Sequence, residues 1–422
     1  MNVNEAIAYI HSVYWKGGHF GLDRVQTLLE KMGNPEKKLK YVHIAGTNGK
    51  GSTASMTASI LQKAGYRTGL YTSPYIYRFH ERIQINGEQI SDEDLVEITE
   101  LVKPLADTME QSPTEFELVC CIAFEYFVRK KCDIVVLEVG LGGDYDATNV
   151  IETPEVAVIT NIGLDHTDVL GSTLEEIAKT KAGIFKEGGN AVIYRGLPSV
   201  EQVFEEVCRE KHISLKKADF DSLRLISHSL DGQVFDCGDR KGLVLPLLGE
   251  HQLHNASVVL SVVDTLMEKG WNITEENIRE GLRDVKWPGR FDVVCREPLF
   301  IIDGGHNPQC IEALVKNIED YLTGRKVIAL TGVLEDKDYG DMYRPVMPLV
   351  DSFVCITPPN PRKLEAAELA KHLRRVGARA IACDSIKAGV ELALREAGGA
   401  GVVLCFGSLY TIGAIREALD EI

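Results

Sequence analysis

A short stretch near the amino terminus constrains this chain more than any other part of its sequence. Residues 41–45 are apolar enough for a strand inside a parallel sheet, and a glycine-rich segment, residues 46–51, follows directly. Ser52 and Thr53 come next, and both residue types are suited to cap a helix. Backbone N–H groups at a helix start attract anions, and Lys50 adds a positive charge. The stretch therefore predicts a cradle for phosphate.

The loop departs from the generic nucleotide-binding motif G-x-x-x-x-G-K followed by S or T. Ile44 occupies the position of the first glycine, and Gly51 separates Lys50 from Ser52. An ordinary glycine-rich turn is the alternative, but it would not need the lysine and the hydroxyls at these positions. We expect the phosphate-binding residues to be Gly46, Thr47, Asn48, Gly49, Lys50, Gly51 and Ser52.

Composition narrows the class of protein and its partners. The 422 residues, 45% hydrophobic and 26% charged, predict a soluble globular chain of two or three domains. A formal charge of -16 argues against nucleic acid or an anionic membrane as partner. Ten cysteines without a C-x-x-C pair fit a reducing cytoplasm. The amino terminus lacks the features of a signal peptide, and no window reaches the ~18 apolar residues that span a bilayer. We expect a cytoplasmic monomer.

Apolar runs alternate with amphipathic helical patterns along the first part of the chain, which predicts an α/β fold with a mostly parallel sheet. The expected strands are 41–45, 68–71, 133–139, 156–160 and 191–194. Residues 213–248 instead show short alternating runs and turn signals, which predict a small antiparallel sheet with its strands appended to the first sheet.

A second series of alternating strands and helices begins after the segment W-P-G-R at residues 287–290. It predicts a smaller Rossmann-like domain. Its expected strands are 299–302, 326–330, 352–356, 378–382 and 402–406. We place the domain boundary near 295, which gives a phosphate-loop domain over 1–295 and a second domain over 296–422.

Two expected strands are followed by side chains that can bind a metal ion. Glu138 ends one strand, and Asp165 and His166 follow the next. Ligands of open α/β sheets gather at the carboxyl ends of the strands, and Mg²⁺ prefers one or two carboxylates with phosphate oxygens and water. We predict Glu138 as a magnesium ligand and His166 as a candidate ligand of a second divalent ion. A loop-capping glutamate and a structural histidine are the alternatives.

Several motifs occur in order along the chain: A-G-T-N-G-K-G-S at 45–52, E-E-I-A-K-T-K-A-G-I-F-K at 175–186, W-P-G-R at 287–290 and D-G-G-H-N-P at 303–308. Together they resemble the folylpolyglutamate synthase and dihydrofolate synthase family of the Mur ligase superfamily, over nearly the whole chain. Gly305 stands where that family usually has alanine. The resemblance implies an ATP-dependent ligase that joins L-glutamate to a folate through an acyl phosphate, with two Mg²⁺ ions.

The resemblance also implies roles for individual residues. Lys181 stands at the lysine that is carbamylated in the family, and a carbamate would offer an anionic oxygen to Mg²⁺. Asn255 would contact the nucleotide, Arg290 would clamp phosphate oxygens, and Asp303 and His306 would line the closed cleft. The residues assigned to catalysis are Lys50, Lys181, His166 and Arg290.

Residues 72–83 resemble the loop S-P-H-L…F-x-E-R-I of the family, with Tyr75 in place of the usual histidine. Aromatic side chains suit stacking on a flat pterin, although core packing would also explain Phe79. Ser73 is a further candidate metal ligand, and Ser408 is a candidate for the incoming glutamate. The expected substrate-binding residues are Tyr75, Phe79, Arg82, Thr114, Phe116, Asp146, His306 and Ser408.

Two other functions are compatible with the phosphate loop. A Mur ligase of cell-wall synthesis normally carries a UDP-binding domain before it, whereas about 40 residues precede the loop here. A nucleotide-gated switch without ligase activity would need the loop but not Lys181, Arg290 or the D-G-G-H-N-P segment. Within the family, the motifs leave open whether the chain also joins dihydropteroate to its first glutamate.

Overall fold

The apolar runs of the first part of the chain form one eight-stranded sheet. In the computed structural model, residues 1–13, 21–335, 337 and 339–422 are described. The strands are β1 (Tyr41–Ala45), β2 (Thr68–Tyr71), β3 (Ile83–Ile85), β4 (Glu88–Gln89), β5 (Ile134–Glu138), β6 (Val156–Ile159), β7 (Asn190–Ile193) and β8 (Ser214–Lys217). Their order is β4-β3-β2-β5-β1-β6-β7-β8; β3 pairs antiparallel with both β2 and β4, and the other neighbouring strands are parallel. The predicted fold class is confirmed.

Helices cover both faces of this sheet. They are α1 (Val3–Ser12), α2 (Asp23–Lys31), α3 (Lys50–Lys63), α4 (Asp92–Asp107), α5 (Glu115–Arg129), α6 (Thr167–Leu170), α7 (Leu174–Lys181), α8 (Pro198–Glu210), α9 (Glu250–Glu268) and α10 (Glu275–Arg283). One apolar cluster joins the sheet to α3, α9 and α10, and another joins it to α1, α2, α4 and α5. This covering explains why the central parallel strands β1, β5 and β6 are buried along their whole length, whereas the edge strand β8 is not.

The region 213–248 differs from the expectation. β8 is a parallel edge strand of the first sheet. The next three strands form a separate antiparallel sheet: β9 (Arg224–Ser229), β10 (Gly232–Cys237) and β11 (Arg240–Leu245). The predicted small antiparallel sheet is therefore present, but the prediction that its strands are appended to the first sheet was wrong. The inward side chains Phe235, Leu243 and Leu245 pack with α9, so the small sheet covers a helix instead of continuing the edge.

The helix after the phosphate loop begins earlier than expected. Gly49 adopts a left-handed conformation with φ of 84°, and α3 starts at Lys50 without a side-chain cap. Ser52 and Thr53 lie buried inside the helix, so the prediction that they cap it was wrong. A Cβ on Gly49 would stand 2.5 Å from Asn255 Oδ1, which explains why glycine occupies the position where the chain turns.

The second sheet has six strands, in the order β12-β13-β17-β14-β15-β16. They are β12 (Asp292–Arg296), β13 (Leu299–Ile302), β14 (Val327–Thr331), β15 (Ser352–Cys355), β16 (Ala380–Ala382) and β17 (Val402–Phe406). All pairs are parallel except β12 with β13. Helices again lie on both faces: α11 (Pro308–Tyr321), α12 (Tyr339–Met342), α13 (Ala366–Arg375), α14 (Ile386–Ala397) and α15 (Ile412–Asp420). In the described part of the chain, no helix is long and apolar enough to cross a membrane.

The close approach of α3 and α10 depends on a glycine. A Cβ on Gly281 would stand 2.5 Å from the Cα of Ile60. We expect Gly281→Ala to lower the free energy of unfolding by about 1–3 kcal/mol, because overpacking forces the helices apart. Denaturant unfolding measures the change. Gly399→Ala is the matched control, since nothing lies within 4 Å of its added methyl group. Equal stability of both variants would contradict the prediction.

Candidate active site

A cavity of about 290 Å³ opens between the two sheets, beside the phosphate loop. It brings together the side chains that the sequence assigned to nucleotide and metal. The assigned residues that line it are Gly46, Thr47, Asn48, Gly49, Lys50, Gly51, Ser52, Ser73, Glu138, His166, Lys181, Asn255, Arg290, Asp303 and His306. Their individual roles stay predictions.

Hydrogen bonds hold the phosphate loop against the end of β6. The Thr47 backbone N–H donates to the Asn161 carbonyl at 2.7 Å, and the Thr160 hydroxyl donates to the Asn48 carbonyl at 2.7 Å. Gly46 lies so close to this strand that a Cβ would stand 1.8 Å from Thr160 Oγ1. The loop shape is therefore set by the neighbouring strand as well as by its own glycines.

Two lysines meet at one carbonyl oxygen of the loop. Lys50 Nζ donates to the Gly46 carbonyl at 3.1 Å, and Lys181 Nζ donates to the same carbonyl at 2.9 Å. Lys181 is only 4% exposed. Burial, assisted by the charge of Lys50, lowers the pKa of Lys181 to about 7. A substantial fraction of the Lys181 amine is therefore neutral near pH 7, and the neutral amine is the form that can add to CO₂.

Glu138 ends β5 inside the cavity and is only 4% exposed. One of its oxygens accepts the Ser73 backbone N–H at 3.1 Å. Burial raises the pKa of Glu138 to about 7, although Lys50 and Arg290 favour its ionised form. A buried carboxyl group beside a phosphate loop is a favourable position for a divalent cation, because the cation would stabilise the ionised carboxylate.

The donor atoms in the cavity suit Mg²⁺ better than a metal ion whose ligands are all protein side chains. No group of three or more histidine, cysteine, aspartate or glutamate side chains in residues 1–13, 21–335, 337 and 339–422 is arranged to hold an ion. Of the carboxylates that line the cavity, Asp165 pairs with Lys337 and Asp303 accepts two backbone N–H groups. The Glu138 carboxylate remains, together with the Ser73 hydroxyl and the half-exposed His166 imidazole. Mg²⁺ commonly takes few protein ligands and completes its shell with phosphate oxygens and water, so these residues fit it.

The linker between the sheets contributes Arg290 to the cavity. Behind it, the buried carboxylate of Asp303 accepts the backbone N–H groups of Phe291 at 2.8 Å and Gly305 at 2.7 Å. His306 Nδ1 donates to the Gly304 carbonyl at 2.8 Å, and burial lowers the pKa of His306 to about 4. The neutral imidazole and the anchored Asp303 hold the linker and the D-G-G-H segment in one arrangement.

Side chains of the second domain bind the phosphate loop directly. Asn48 Nδ2 donates to Gln309 Oε1 at 3.0 Å, and Asn48 Oδ1 accepts Asn307 Nδ2 at 2.9 Å. Gln309 Nε2 also donates to the Ile162 carbonyl at 3.1 Å. Asn48 is thus the residue through which loop geometry and domain arrangement are coupled.

A second interdomain contact involves Asp165. Its carboxylate lies 3.2 Å from Lys337 Nζ and accepts Asn307 Nδ2 at 3.2 Å. Burial alone would raise the pKa of Asp165, but Lys337 and His166 lower it to about 2. Asp165 is therefore ionised and engaged with the second domain, although it follows the same strand as His166.

The predicted pterin-contacting residues form a cluster next to the cavity and do not line it. The Arg82 guanidinium lies 5.2 Å from the Tyr75 ring centre and 5.6 Å from that of Phe79. Arg82 Nη2 is 3.7 Å from a carboxylate oxygen of Glu115. Thr114 caps the helix that begins at Glu115. The aromatic loop and the start of α5 therefore form one surface.

The structure gives three other predicted substrate residues mainly local contacts. Phe116 packs on Gly140, where a Cβ would stand 2.5 Å from its ring. Asp146 is buried and accepts the Leu141 N–H at 2.9 Å and the Thr148 hydroxyl at 2.5 Å. Ser408 is buried and accepts the Tyr410 N–H at 3.2 Å. None of the three lines the cavity, and their substrate contacts stay predictions.

Some cavity residues were not identified from the sequence. They are Tyr194 at the end of β7 and Gln309, Cys310 and Asn317 on α11. The α11 residues follow the D-G-G-H-N-P segment, and positions 309, 313 and 317 repeat every four residues on one helix face. That spacing was the available signal, but nothing in the sequence says which domain the face contacts.

Comparison with known proteins agrees with this fold. The Mur ligase middle domain matches residues 44–263, and the Mur ligase glutamate ligase domain matches residues 289–409. The folylpolyglutamate synthase of Lacticaseibacillus casei is 35% identical over 99% of both chains. The dihydrofolate synthase/folylpolyglutamate synthase of Bacillus subtilis is 35% identical over 98% of both.

A solved structure extends the match to three dimensions. The Mycobacterium tuberculosis folylpolyglutamate synthase complexed with ADP is 30% identical, with a TM-score of 0.90 over 98% of this chain and 97% of that chain. The protein is therefore a member of the Mur ligase family. Within that family it belongs to the folylpolyglutamate and dihydrofolate synthases, which confirms the resemblance seen in the motifs.

The contacts of Gln309 make the coupling between domains testable. We expect Gln309→Ala to weaken binding of a non-hydrolysable ATP analogue by roughly 5- to 30-fold, because it removes two hydrogen bonds worth about 1 kcal/mol each. Calorimetric titration measures the affinity. Glu312→Ala, on the exposed side of the same helix, is the control and should bind normally. Equal affinity of both variants would mean that Asn48 does not couple the domains.

Proposed function

We propose that this protein is an ATP-dependent ligase that adds L-glutamate to a folate through an acyl-phosphate intermediate. The observation that supports it most is the grouping of Lys50, Lys181 and buried Glu138 around the phosphate loop, in a cavity bounded by Arg290 and Asp303. The relatives that match nearly the whole chain are named as synthases of this kind. The ADP-bound Mycobacterium tuberculosis structure supports ATP as the nucleotide.

The reaction has two bond-forming steps. An oxygen of the acceptor carboxylate attacks the γ-phosphorus of ATP, ADP leaves, and the acceptor becomes an acyl phosphate. The amine of L-glutamate then attacks the acyl carbon, phosphate leaves, and the nitrogen loses a proton as the amide forms. Lys50 and the loop N–H groups hold the phosphates, while Arg290 stabilises charge on the transferred group. Closure of the second domain excludes water from the acyl phosphate.

The metal-binding residues of this proposal are Glu138, Ser73, His166 and Lys181. When bound, Mg²⁺ supplies positive charge to the phosphate oxygens. Lys181 joins this set as a carbamate, which forms when its neutral amine adds to CO₂ and releases a proton. The resulting anion offers oxygen donors where the unmodified side chain offers only N–H groups.

We place the acceptor on the surface of Tyr75, Phe79 and Arg82, next to the cavity, because aromatic rings suit stacking on a pterin. Arg82, held over both rings, can pair with a carboxylate of the acceptor. The further assigned substrate residues are Thr114, Phe116, Asp146, His306 and Ser408. Phe116 and Asp146 act in this proposal by shaping the loop after Glu138, since their observed contacts are with that loop.

We further propose a reducing compartment, the cytoplasm, because all ten cysteines are free thiols. A monomer is part of the same proposal. The division into 1–295 and 296–422 is likewise a proposal. β12 pairs with β13 in the second sheet, which argues for moving the boundary a few residues towards the amino terminus.

The activity is tested by ATP-dependent incorporation of labelled L-glutamate with Mg²⁺ and bicarbonate. Parallel reactions contain tetrahydrofolate, dihydropteroate or no acceptor. We expect incorporation with tetrahydrofolate and none without acceptor. Additional incorporation with dihydropteroate would establish the two activities that the Bacillus subtilis relative has in its name. ATP turnover that ignores both acceptors and glutamate would favour a nucleotide-gated switch.

The carbamate is tested with Lys181→Ala. We expect at least roughly a 100-fold loss of kcat, because an anionic group at the reacting phosphates is removed, and partial recovery when a small carboxylic acid is added. Isotope-labelled bicarbonate should give a carbamate NMR signal in the parent protein and not in the variant. Lys179→Ala, an exposed lysine of the same helix, is the control and should stay active. Loss without recovery and without a signal in the parent would exclude the carbamate.

A further inference from the structure

Asn317 is a buried amide that faces the cavity without a hydrogen-bond partner in the described part of the chain. The residue is 1% exposed, and neither its Nδ2 nor its Oδ1 has a partner. It nevertheless lines the cavity beside the phosphate loop. Buried side-chain amides are normally hydrogen-bonded, because an unmet donor and acceptor cost stability. A buried amide whose donor and acceptor are both unpaired at a binding cavity indicates a ligand that supplies one donor and one acceptor.

The neighbours of Asn317 place it next to the first domain. The position where a Cβ of Gly249 would stand is 2.5 Å from Asn317 Oδ1 and 2.6 Å from His251 Cε1. Asn317 of α11 and His251 of α9 therefore lie close together, one from each domain. His251 and Asn255 share a face of α9 at a spacing of four residues, and Asn255 reaches the phosphate loop at Gly49. A ligand can thus extend from the loop to Asn317.

The side chains of this part of the cavity carry no charge. Ala313 and Leu314 precede Asn317 by about one turn and also line the cavity. Burial lowers the pKa of His251 to about 4, so its imidazole is neutral. Asn255 Nδ2 donates to Gln252 Oε1 at 3.1 Å. This hydrogen bond orients two further side-chain amides in the same part of the cavity. Apolar walls with a few oriented amides suit a flat, neutral heterocycle more than a carboxylate or a phosphate.

We propose that Asn317 reads the purine base of the nucleotide and makes the site selective for adenine. A primary amide matches the N6–H donor and N7 acceptor of adenine, whereas guanine presents two acceptors along the same edge. This inference rests on the proposed function, since it assumes that the phosphate loop binds ATP. Asn317 acts on the part of the substrate that does not react, so it determines specificity and takes no part in catalysis.

The test measures nucleotide binding without any acceptor. A non-hydrolysable ATP analogue and the same analogue with unsubstituted purine, which lacks the 6-amino group, are titrated into the parent protein and into Asn317→Leu. Leucine has a similar size and no polar atoms. We expect Asn317→Leu to bind the adenine analogue roughly 30-fold more weakly, because two hydrogen bonds worth about 1 kcal/mol each are lost, and the purine analogue only roughly 5-fold more weakly, because only the bond to N7 is lost. The preference of the parent for adenine over purine should disappear in the variant.

Two further variants make the result decisive. Asn317→Asp keeps the size of the side chain and the oxygen that accepts N6–H, but it removes the donor to N7. It should therefore weaken binding of both analogues and keep the preference for adenine. Lys316→Ala, an exposed neighbour on α11, should bind like the parent. An equal loss for both analogues in Asn317→Leu, or undiminished preference for adenine in that variant, would overturn the inference while leaving the proposed function intact. A parent protein that binds neither analogue would instead contradict the proposed function, and this inference with it.

Discussion

The arrangement of the site depends on positive charge concentrated at one loop carbonyl. Lys50 and Lys181 both donate to the Gly46 carbonyl, and the buried Glu138 carboxyl group lies in the same cavity. Two ammonium groups that donate to the same carbonyl oxygen repel each other, and burial removes the water that would screen their charges. Burial and the charge of Lys50 lower the pKa of Lys181 to about 7, whereas burial raises the pKa of Glu138 to about 7 against the opposing effect of Lys50 and Arg290. Anionic phosphates or a carbamate would relieve the repulsion, so the charges of the site favour binding of these groups.

The same cavity is bounded by two domains, and polar contacts rather than apolar ones set their arrangement at the loop. Asn48 bonds to Asn307 and Gln309, and Asp165 pairs with Lys337. Hydrogen bonds across a hydrated cleft exchange readily with water and contribute little net free energy each. A closure built from them can reopen for product release, whereas a large apolar interface would not. Asp165 takes part in this contact between the domains. This role explains why a carboxylate at the cavity forms an ion pair with Lys337.

Much of the fold and of the site could be predicted from the sequence, because the decisive sequence signals are local. A buried strand, a glycine loop and a helix mark the phosphate site, and parallel strands necessarily bring Glu138 and His166 to one sheet edge. The small sheet was misplaced because an alternating pattern shows which face is apolar but not what covers it. The start of α3 was misplaced because Ser52 is a good capping residue by type, whereas the left-handed conformation of Gly49 lets the helix begin two residues earlier.

The residues that escaped prediction share a physical origin. Gln309 and Asn317 lie on the second domain, more than 250 residues after the loop, and their polar atoms matter only because α11 faces the first domain. Helical periodicity identifies one face of a helix. From the sequence alone, an amide on that face could be buried against the other domain or exposed to solvent. Only the packed structure shows that Gln309 is paired and that Asn317 is buried with both polar atoms unmet. An unmet amide pair inside a cavity is a property of the fold, and for that reason it indicates what the cavity binds more directly than the residue type does.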